Sequence, residues 1–333
     1  MIRFASLVFA LLLGLASAEA GEAPVCAGSD LVAGLKVSDP AKYAEVMKEA
    51  DATPNGNAVF WKIERQGLRP SWLLGTAHVT DPRVTSLPRG AEAALANAST
   101  LALELAELRD PKELIRATLL NATLLVLPPG QSLWDLIPDA EEPAIRDNVN
   151  LPAGAADGLF GYQPWVVATM LSIPLCEKLR QQQGLQTLDG AIAGEAGHDR
   201  IPLVGLETVK EQLSVFADMP RGLQVKYLIA VAKLGAKAVD YFETLIALYQ
   251  QRKVAAYMPF ARATEAMGVD EEAMMAFVEE DMIRHRNHRM AERAAALLAK
   301  GNAFIAVGAL HLPGEQGLVA LIRQAGYRVS PVN

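Results

Sequence analysis

Two stretches of this chain close in the same way. Trp72-Leu73-Leu74-Gly75-Thr76-Ala77-His78 and Phe304-Ile305-Ala306-Val307-Gly308-Ala309-Leu310-His311 are each an apolar run ending in Gly-x-x-His, 233 positions apart. Such runs read as buried strands, and in an α/β sheet ligands collect at the carboxyl ends of strands. A glycine there allows a tight turn and the close approach of another group. If the two strands are neighbours, both imidazoles stand on one rim. Paired imidazoles suit a divalent metal, and such a site commonly adds a carboxylate. Glu104 offers one at the end of the apolar run Leu101 to Leu105, where an unpaired charge would be costly. The blander reading of Glu104 is an edge residue facing solvent. Glu107 follows in a loop and is the second choice. Glu207, just past the short run Ile201 to Val204, could act as general base or as a further ligand. A carboxylate at a helix start is also favourable without any chemistry.

The remaining histidines separate by geometry. On a helix over Asp281 to Lys300 at about 100° per residue, Ile283, Met290, Ala294 and Leu297 form one stripe. Asn287 lies within that stripe and Arg286 on its border. A buried Asn and Arg need partners, and a carboxylate-rich site supplies them. Arg286 and Asn287 are therefore candidates to orient a substrate carboxylate or to stabilise a developing oxyanion. His285 and His288 fall on the far side and read as solvated, with Arg284 and Arg289 beside them to repel a dication. His198 reads as a helix end with Gly197 as its cap. The chain has no His-Glu-x-x-His, no Gly-x-Ser-x-Gly elbow and no Walker loop.

The elements that must hold these residues follow from the rest of the 333-residue chain. Asp30 and Asp39-Pro40 open two helical segments within residues 29–51. Asn55-Gly56 marks a turn. Asn57 to Glu64 and Ser71 to Ala77 read as a hairpin joined through Gly67 to Pro70. A helix at Ala91 to Ala98 precedes the strand that ends near Glu104. From about 110 to 300 helical patterns dominate, broken by Pro128-Pro129-Gly130, Leu151-Pro152-Ala153-Gly154 and Met219-Pro220, with one strand at Ile201 to Val204. The strand Ala303 to Val307, a helix from Glu315 to Ala325 and a strand at Tyr327 to Val329 complete the chain. In that last helix Leu318, Leu321, Ile322 and Ala325 form the packing stripe. The fold class is α/β: a central sheet assembled from the two ends of the chain, with a large helical insertion.

Composition sets the outer limits. Hydrophobic residues make up 51% and the net charge is −7, with a sequence pI near 5.4 and a mean hydropathy of +0.16. That excludes disorder and a disulfide scaffold. Without a basic block, nucleic acid is not an expected partner. Met1 to Ala20 carries Arg3, an apolar run from Phe4 to Ala16 and small-x-small cleavage sites, and reads as a secretory signal peptide. The run is short for a membrane span. The expected domains are thus a leader at 1–20 and a single unit at 21–333, exported to the periplasm or secreted. Export makes Cys26 and Cys176 candidates for one disulfide, with two separate thiols as the alternative.

The chain resembles the TraB/GumN family (TraB/PrgY/GumN), whose animal relatives are the Tiki proteases. The resemblance rests on the two Gly-x-x-His segments, Glu104, Leu188-Asp189-Gly190, Gly205-Leu206-Glu207-Thr208, Arg286-Asn287-His288-Arg289-Met290, Leu312-Pro313-Gly314, Gly317-Leu318 and Gly326-Tyr327-Arg328-Val329. It implies a fold related to erythromycin-esterase and ChaN-like proteins, with the two Gly-x-x-His motifs and a glutamate forming the site. For the Tiki branch it implies divalent-metal-dependent peptide hydrolysis, with manganese or cobalt favoured over zinc. The expected centre is then His78, Glu104 and His311 on the metal, with Glu207, Arg286 and Asn287 as the catalytic group. The rivals are an exported binder of peptide or metal without turnover, and a metal-dependent esterase.

Overall fold

The computed structural model describes residues 24–148, 159, 161–264 and 271–332. The expected leader and the break at Leu151 to Gly154 lie outside them. In chain order the helices before the sheet are α1 (Leu31–Ser38) and α2 (Pro40–Ala52). The hairpin β1 (Phe60–Glu64) and β2 (Ser71–Thr76), α3 (Ala91–Ala96) and β3 (Thr100–Leu103) follow. The helical section holds α4 (Pro111–Leu120), α5 (Glu142–Asn148), α6 (Pro164–Ser172), α7 (Leu175–Gln182) and α8 (Leu188–His198), then the short β4 (Leu203–Gly205). It continues with α9 (Val209–Ala217), α10 (Arg221–Leu234), α11 (Ala238–Gln250), α12 (Tyr257–Ala263), α13 (Glu271–Phe277), a π-helical turn (Val278–Arg284) and α14 (His285–Leu298). β5 (Ala303–Gly308), α15 (Leu318–Gln324) and β6 (Arg328–Pro331) close the order.

Local chemistry accounts for the first boundaries. Asp30 Oδ1 accepts from the backbone N–H of Val32 and Ala33, and Asp39 Oδ1 from that of Lys42 with Pro40 in the first turn. β1 and β2 pair antiparallel from Phe60↔Leu74 to Ile63↔Ser71, as the hairpin reading requires.

The sheet runs β4-β3-β5-β2-β1-β6. β4, β3, β5 and β2 are parallel neighbours, while β1 is antiparallel to β2 and to β6. Every residue of β5 is buried, as befits a central parallel strand covered on both faces. Alternation divides its side chains. Leu73, Ile305 and Val307 face Met290, Ala294 and Leu298 of α14 and Leu318, Val319 and Ile322 of α15. Leu74, Phe304 and Ala306 face Ala91, Ala94 and Leu95 of α3 and Leu188, Ile192 and Ala196 of α8. Each helix layer is thus set by the period-2 pattern of the strands beneath it.

Several boundaries differ from the expectation. β4 begins at Leu203, not Ile201, and β6 runs on to Pro331, which an edge strand tolerates. α15 starts at Leu318; its buried side chains are Leu318, Val319 and Ile322, while Ala325 is exposed. The helix expected from Asp281 is α-helical only from His285, because the π turn precedes it. Leu298 rather than Leu297 is buried, since it stands three full turns beyond Asn287. Gly197 stays inside α8, which ends at His198; the left-handed residue that follows is Arg200.

The N-terminal segment is tied down. Cys26 and Cys176 form a disulfide, which joins the segment before α1 to α7. Arg180 of α7 reinforces this by donating to the Pro24 carbonyl and to Asp81. Among the described residues no helix is long and apolar enough to cross a membrane.

Candidate active site

The strand pairing brings the two Gly-x-x-His motifs together. Gly75 pairs with Val307 and Thr76 with Gly308, while Leu103 pairs with Ala306 on the other side of β5. The carboxyl ends of β2, β5 and β3 therefore lie side by side, and His78, His311 and Glu104 leave the sheet next to one another. Nε2 of His78 stands 3.6 Å and Nε2 of His311 3.8 Å from the same atom, Glu104 Oε1. That oxygen also accepts the Gly308 backbone N–H at 2.7 Å.

Neither motif glycine has a positive φ, so neither is needed for a left-handed turn. Close approach explains both. A Cβ on Gly75 would lie 2.6 Å from Leu312 Cδ1 and 2.9 Å from Ala309 Cα. A Cβ on Gly308 would lie 2.8 Å from His78 Nε2 and 3.3 Å from Glu104 Oε1. Gly308 thus leaves open the space between the imidazole and the carboxylate.

A second layer fixes the rings. Asp189, in the first turn of α8, receives His78 Nδ1 at 2.9 Å on Oδ2 and the Thr76 hydroxyl at 2.7 Å on Oδ1. Asn287 Nδ2 donates to the Gln316 carbonyl at 2.8 Å, which orients its Oδ1 to accept from His311 Nδ1 at 2.7 Å. Both rings therefore keep the proton on Nδ1, and a neutral ring aims its Nε2 lone pair at the Glu104 side. Burial drives the His311 pKa down to about 3, against the pull of Glu104 and helped by Arg286 and His78, so this ring is neutral. At His78 desolvation also lowers the pKa, but the Asp189 and Glu104 carboxylates outweigh it and hold the pKa well above the usual value. With 54% of the His78 side chain open to solvent, the two carboxylates decide that direction. Glu104 is desolvated too, yet His78, His311 and Arg286 keep its pKa well below the usual carboxylate range.

Glu207 and Arg286 form the floor beneath Glu104. The Arg286 guanidinium donates through Nε to Glu207 and through Nη2 to Oε2 of both Glu104, at 2.7 Å, and Glu207, at 2.6 Å. Arg289 Nη1 adds a 3.1 Å contact to Glu207, and Gln212 Nε2 reaches both carboxylates. The Glu207 side chain has no solvent-exposed surface. Its oxygens face guanidinium groups, away from the imidazoles. Asn287 faces the rear of His311 rather than the open side. Glu107 sits in a 3₁₀ turn (Ala106–Arg109) past the site, and His198, His285 and His288 are exposed, as their positions on the helices suggest.

Asp189, Arg289, Gln212 and Tyr249 complete the arrangement without having been assigned a part from the sequence. Asp189 carried a signal: it follows Thr187, which caps α8, and stands next to the buried Leu188, so its carboxylate turns inward. Tyr249 donates its hydroxyl to the Gly75 carbonyl at 2.8 Å; nothing local to its sequence marks it.

Among the described residues no group of three or more His, Cys, Asp and Glu is assembled as a metal centre. The donor set nevertheless fits one. Two imidazole Nε2 atoms and a carboxylate oxygen face a common space that a Cβ on Gly308 would fill, and each ring has its outer partner.

Residues 59–331 match the TraB/PrgY/gumN family. The chain belongs to that family. Both Gly-x-x-His motifs, Glu104, Asp189, Glu207, Arg286 and Asn287 lie inside the matched region. The chain is also 27% identical over 322 residues to the protein named Metalloprotease TIKI1 of Danio rerio, covering 82% of this chain and 63% of the relative. The chain thus spans less than two thirds of that curated relative. No solved structure matches.

Proposed function

We propose that the protein is a divalent-metal-dependent hydrolase acting on peptides, with His78, His311 and Glu104 holding the metal. One observation carries the reading: two imidazoles from distant strands, each held through Nδ1 by a buried side chain, turn Nε2 toward one carboxylate oxygen. Similarity to a protein named a metalloprotease supports it. A divalent metal bound there would acidify a water and polarise a scissile carbonyl.

The chain's own groups prepare that chemistry. Asp189 and Asn287 hold the two rings through Nδ1, with both Nε2 atoms aimed at Glu104. The Gly308 N–H and Arg286 hold Glu104 ionised. Arg286 borders the cavities on both sides of the site, and its Nη1 makes only a long 3.4 Å contact to the Met282 carbonyl. It is the donor available to a substrate carbonyl or to a developing oxyanion. Glu207 and Asn287 are positioning residues in this scheme: Glu207 holds Arg286, and Asn287 holds His311. Manganese or cobalt is the metal to test first. The leader-like N-terminus and the Cys26–Cys176 disulfide support an exported protein, periplasmic or secreted.

The deciding measurement is the metal content of purified protein beside His78→Ala and His311→Ala, each assayed on peptide and ester panels with and without Mn²⁺. Loss of metal in both variants together with metal-dependent peptide cleavage by the parent is the expected result. Equal metal in all three overturns the shared centre. Cleavage of esters alone turns the reading to an esterase.

A further inference from the structure

The site is the middle of a groove. On one side of the imidazoles lies a cavity of about 190 Å³ walled by Leu245, Leu248, Tyr249, Tyr257, Met282 and Ile283. An apolar cavity of about 150 Å³ is enough to hold benzene, so this one admits a Leu, Met or Phe side chain. The Tyr249 hydroxyl is already committed to the Gly75 carbonyl and the Thr76 hydroxyl to Asp189, and apart from Tyr257 the other polar side chains of the lining are those of the site itself, His78, His311 and Arg286. A charged side chain packed against Leu245, Leu248, Met282 and Ile283 would lose its water without finding an opposite charge there.

The cavity does not end the groove. Val254, Ile283 and Leu310 line it and also line a second basin, so the two meet across those three side chains. That outer basin carries Glu49, Glu279, Glu280 and Glu315 against Arg262 and Arg284, an acidic excess. On the opposite side of the site, His78 and Arg286 are shared with a third cavity flanked by Leu105, Leu108, Val215 and Phe216. The π turn runs along both. It places Met282 and Ile283 over the cavity and Glu279, Glu280 and Arg284 over the basin, and the α-helix resumes in time for Arg286 and Asn287 to face the site. Such turns recur at functional sites because they change the phase of a helix.

We propose that the ligand of this groove is an extended polypeptide segment, anchored by one bulky apolar side chain in the cavity beside His311 and carrying a basic residue over the acidic basin. This rests on reading the site as a peptide hydrolase, and it adds the sequence that the site selects. A small ester would occupy only the centre and leave both arms of the groove empty.

The test uses the full chain loaded with Mn²⁺ and fluorescent decapeptides of Gly, Ser and Ala that carry a single Leu, Phe, Gly or Glu at the centre, with or without a flanking Lys. Binding is read by anisotropy and cleavage by mass spectrometry. The Leu and Phe peptides should bind at least ~10-fold tighter than the Gly and Glu peptides and be cut beside the apolar residue. Met282→Trp and Leu245→Trp, which fill the cavity without touching the metal-facing groups, should abolish that discrimination with metal content unchanged. Equal handling of Leu, Gly and Glu peptides, cleaved or not, overturns the anchor. Tighter binding of the Leu peptides without cleavage upholds the groove and overturns the hydrolase instead. An absence of both binding and cleavage overturns both.

Discussion

Asp189 holds His78 through a 2.9 Å contact to Nδ1 while its other oxygen takes the Thr76 hydroxyl at 2.7 Å. One buried carboxylate thus ties the end of β2 to the ring that follows it. Removing its charge frees the ring orientation and weakens Nε2 as a donor. Asp189→Asn should reduce Mn²⁺ affinity by roughly 10- to 100-fold, read by titration calorimetry, with the fold retained. Unchanged affinity would show that the contact serves packing alone.

Gly308→Ala tests the open space. Its Cβ would sit 2.8 Å from His78 Nε2, so the ring must move. A displacement near 1 Å can cost ~100-fold in a catalytic constellation. We expect loss of metal and of turnover with a native circular dichroism spectrum. Gly314→Ala serves as the comparison: its positive φ makes it strained, but a Cβ there has open space and lies away from the imidazoles. It should keep its metal.

Glu207→Gln separates a positioning role from a base. Arg286 and Arg289 would face a neutral partner in a buried setting, and breaking such a pair costs on the order of 3–5 kcal/mol. The expected result is a large drop in the urea midpoint, with metal content falling only as the fold is lost. A variant that keeps its stability and metal but loses turnover would restore Glu207 as the base.

Acid should weaken the anchoring of the loop behind His78. Burial alone would raise the Asp81 pKa, but hydrogen bonds from Arg83 and Arg180 bring it down to about 2. A carboxylate depressed in the folded state stabilises it fully above its unfolded pKa of about 3.9. That contribution is lost as the pH falls through the window from about 4 to about 2. The shift corresponds to roughly 2 kcal/mol. The loss of stability between pH 5 and pH 2.5 in denaturation curves should therefore be smaller for Asp81→Asn than for the parent by about that amount, the remainder coming from other depressed carboxylates such as Glu104 and Glu211.

The sequence disclosed the site better than the elements around it. His78, His311 and Glu104 were legible because each ends an apolar run, and a run of that kind has one place to go in an α/β sheet. Arg286 and Asn287 were legible from helical phase. What stayed hidden was direction. Glu207 and Asn287 are both near the centre, but whether a carboxylate faces a guanidinium or an imidazole depends on how α14 docks over β4. No local pattern specifies that docking. Asp189 was visible as a motif residue and not as a ring partner, because its contact spans 111 positions. The π turn escaped altogether: a helical wheel assumes constant pitch, and Val278 to Arg284 depart from it.

The position of β5 between β3 and β2 has a consequence in time. Translation at 5–20 residues per second separates the making of His78 from that of His311 by roughly 10–50 s. Until β5 arrives, its two flanking strands have no common neighbour, and the rim that joins Glu104 to His78 does not exist. No unfinished chain and no fragment stopped before Ala303 can own the centre. The order of synthesis itself thus withholds this meeting of side chains until the fold is complete.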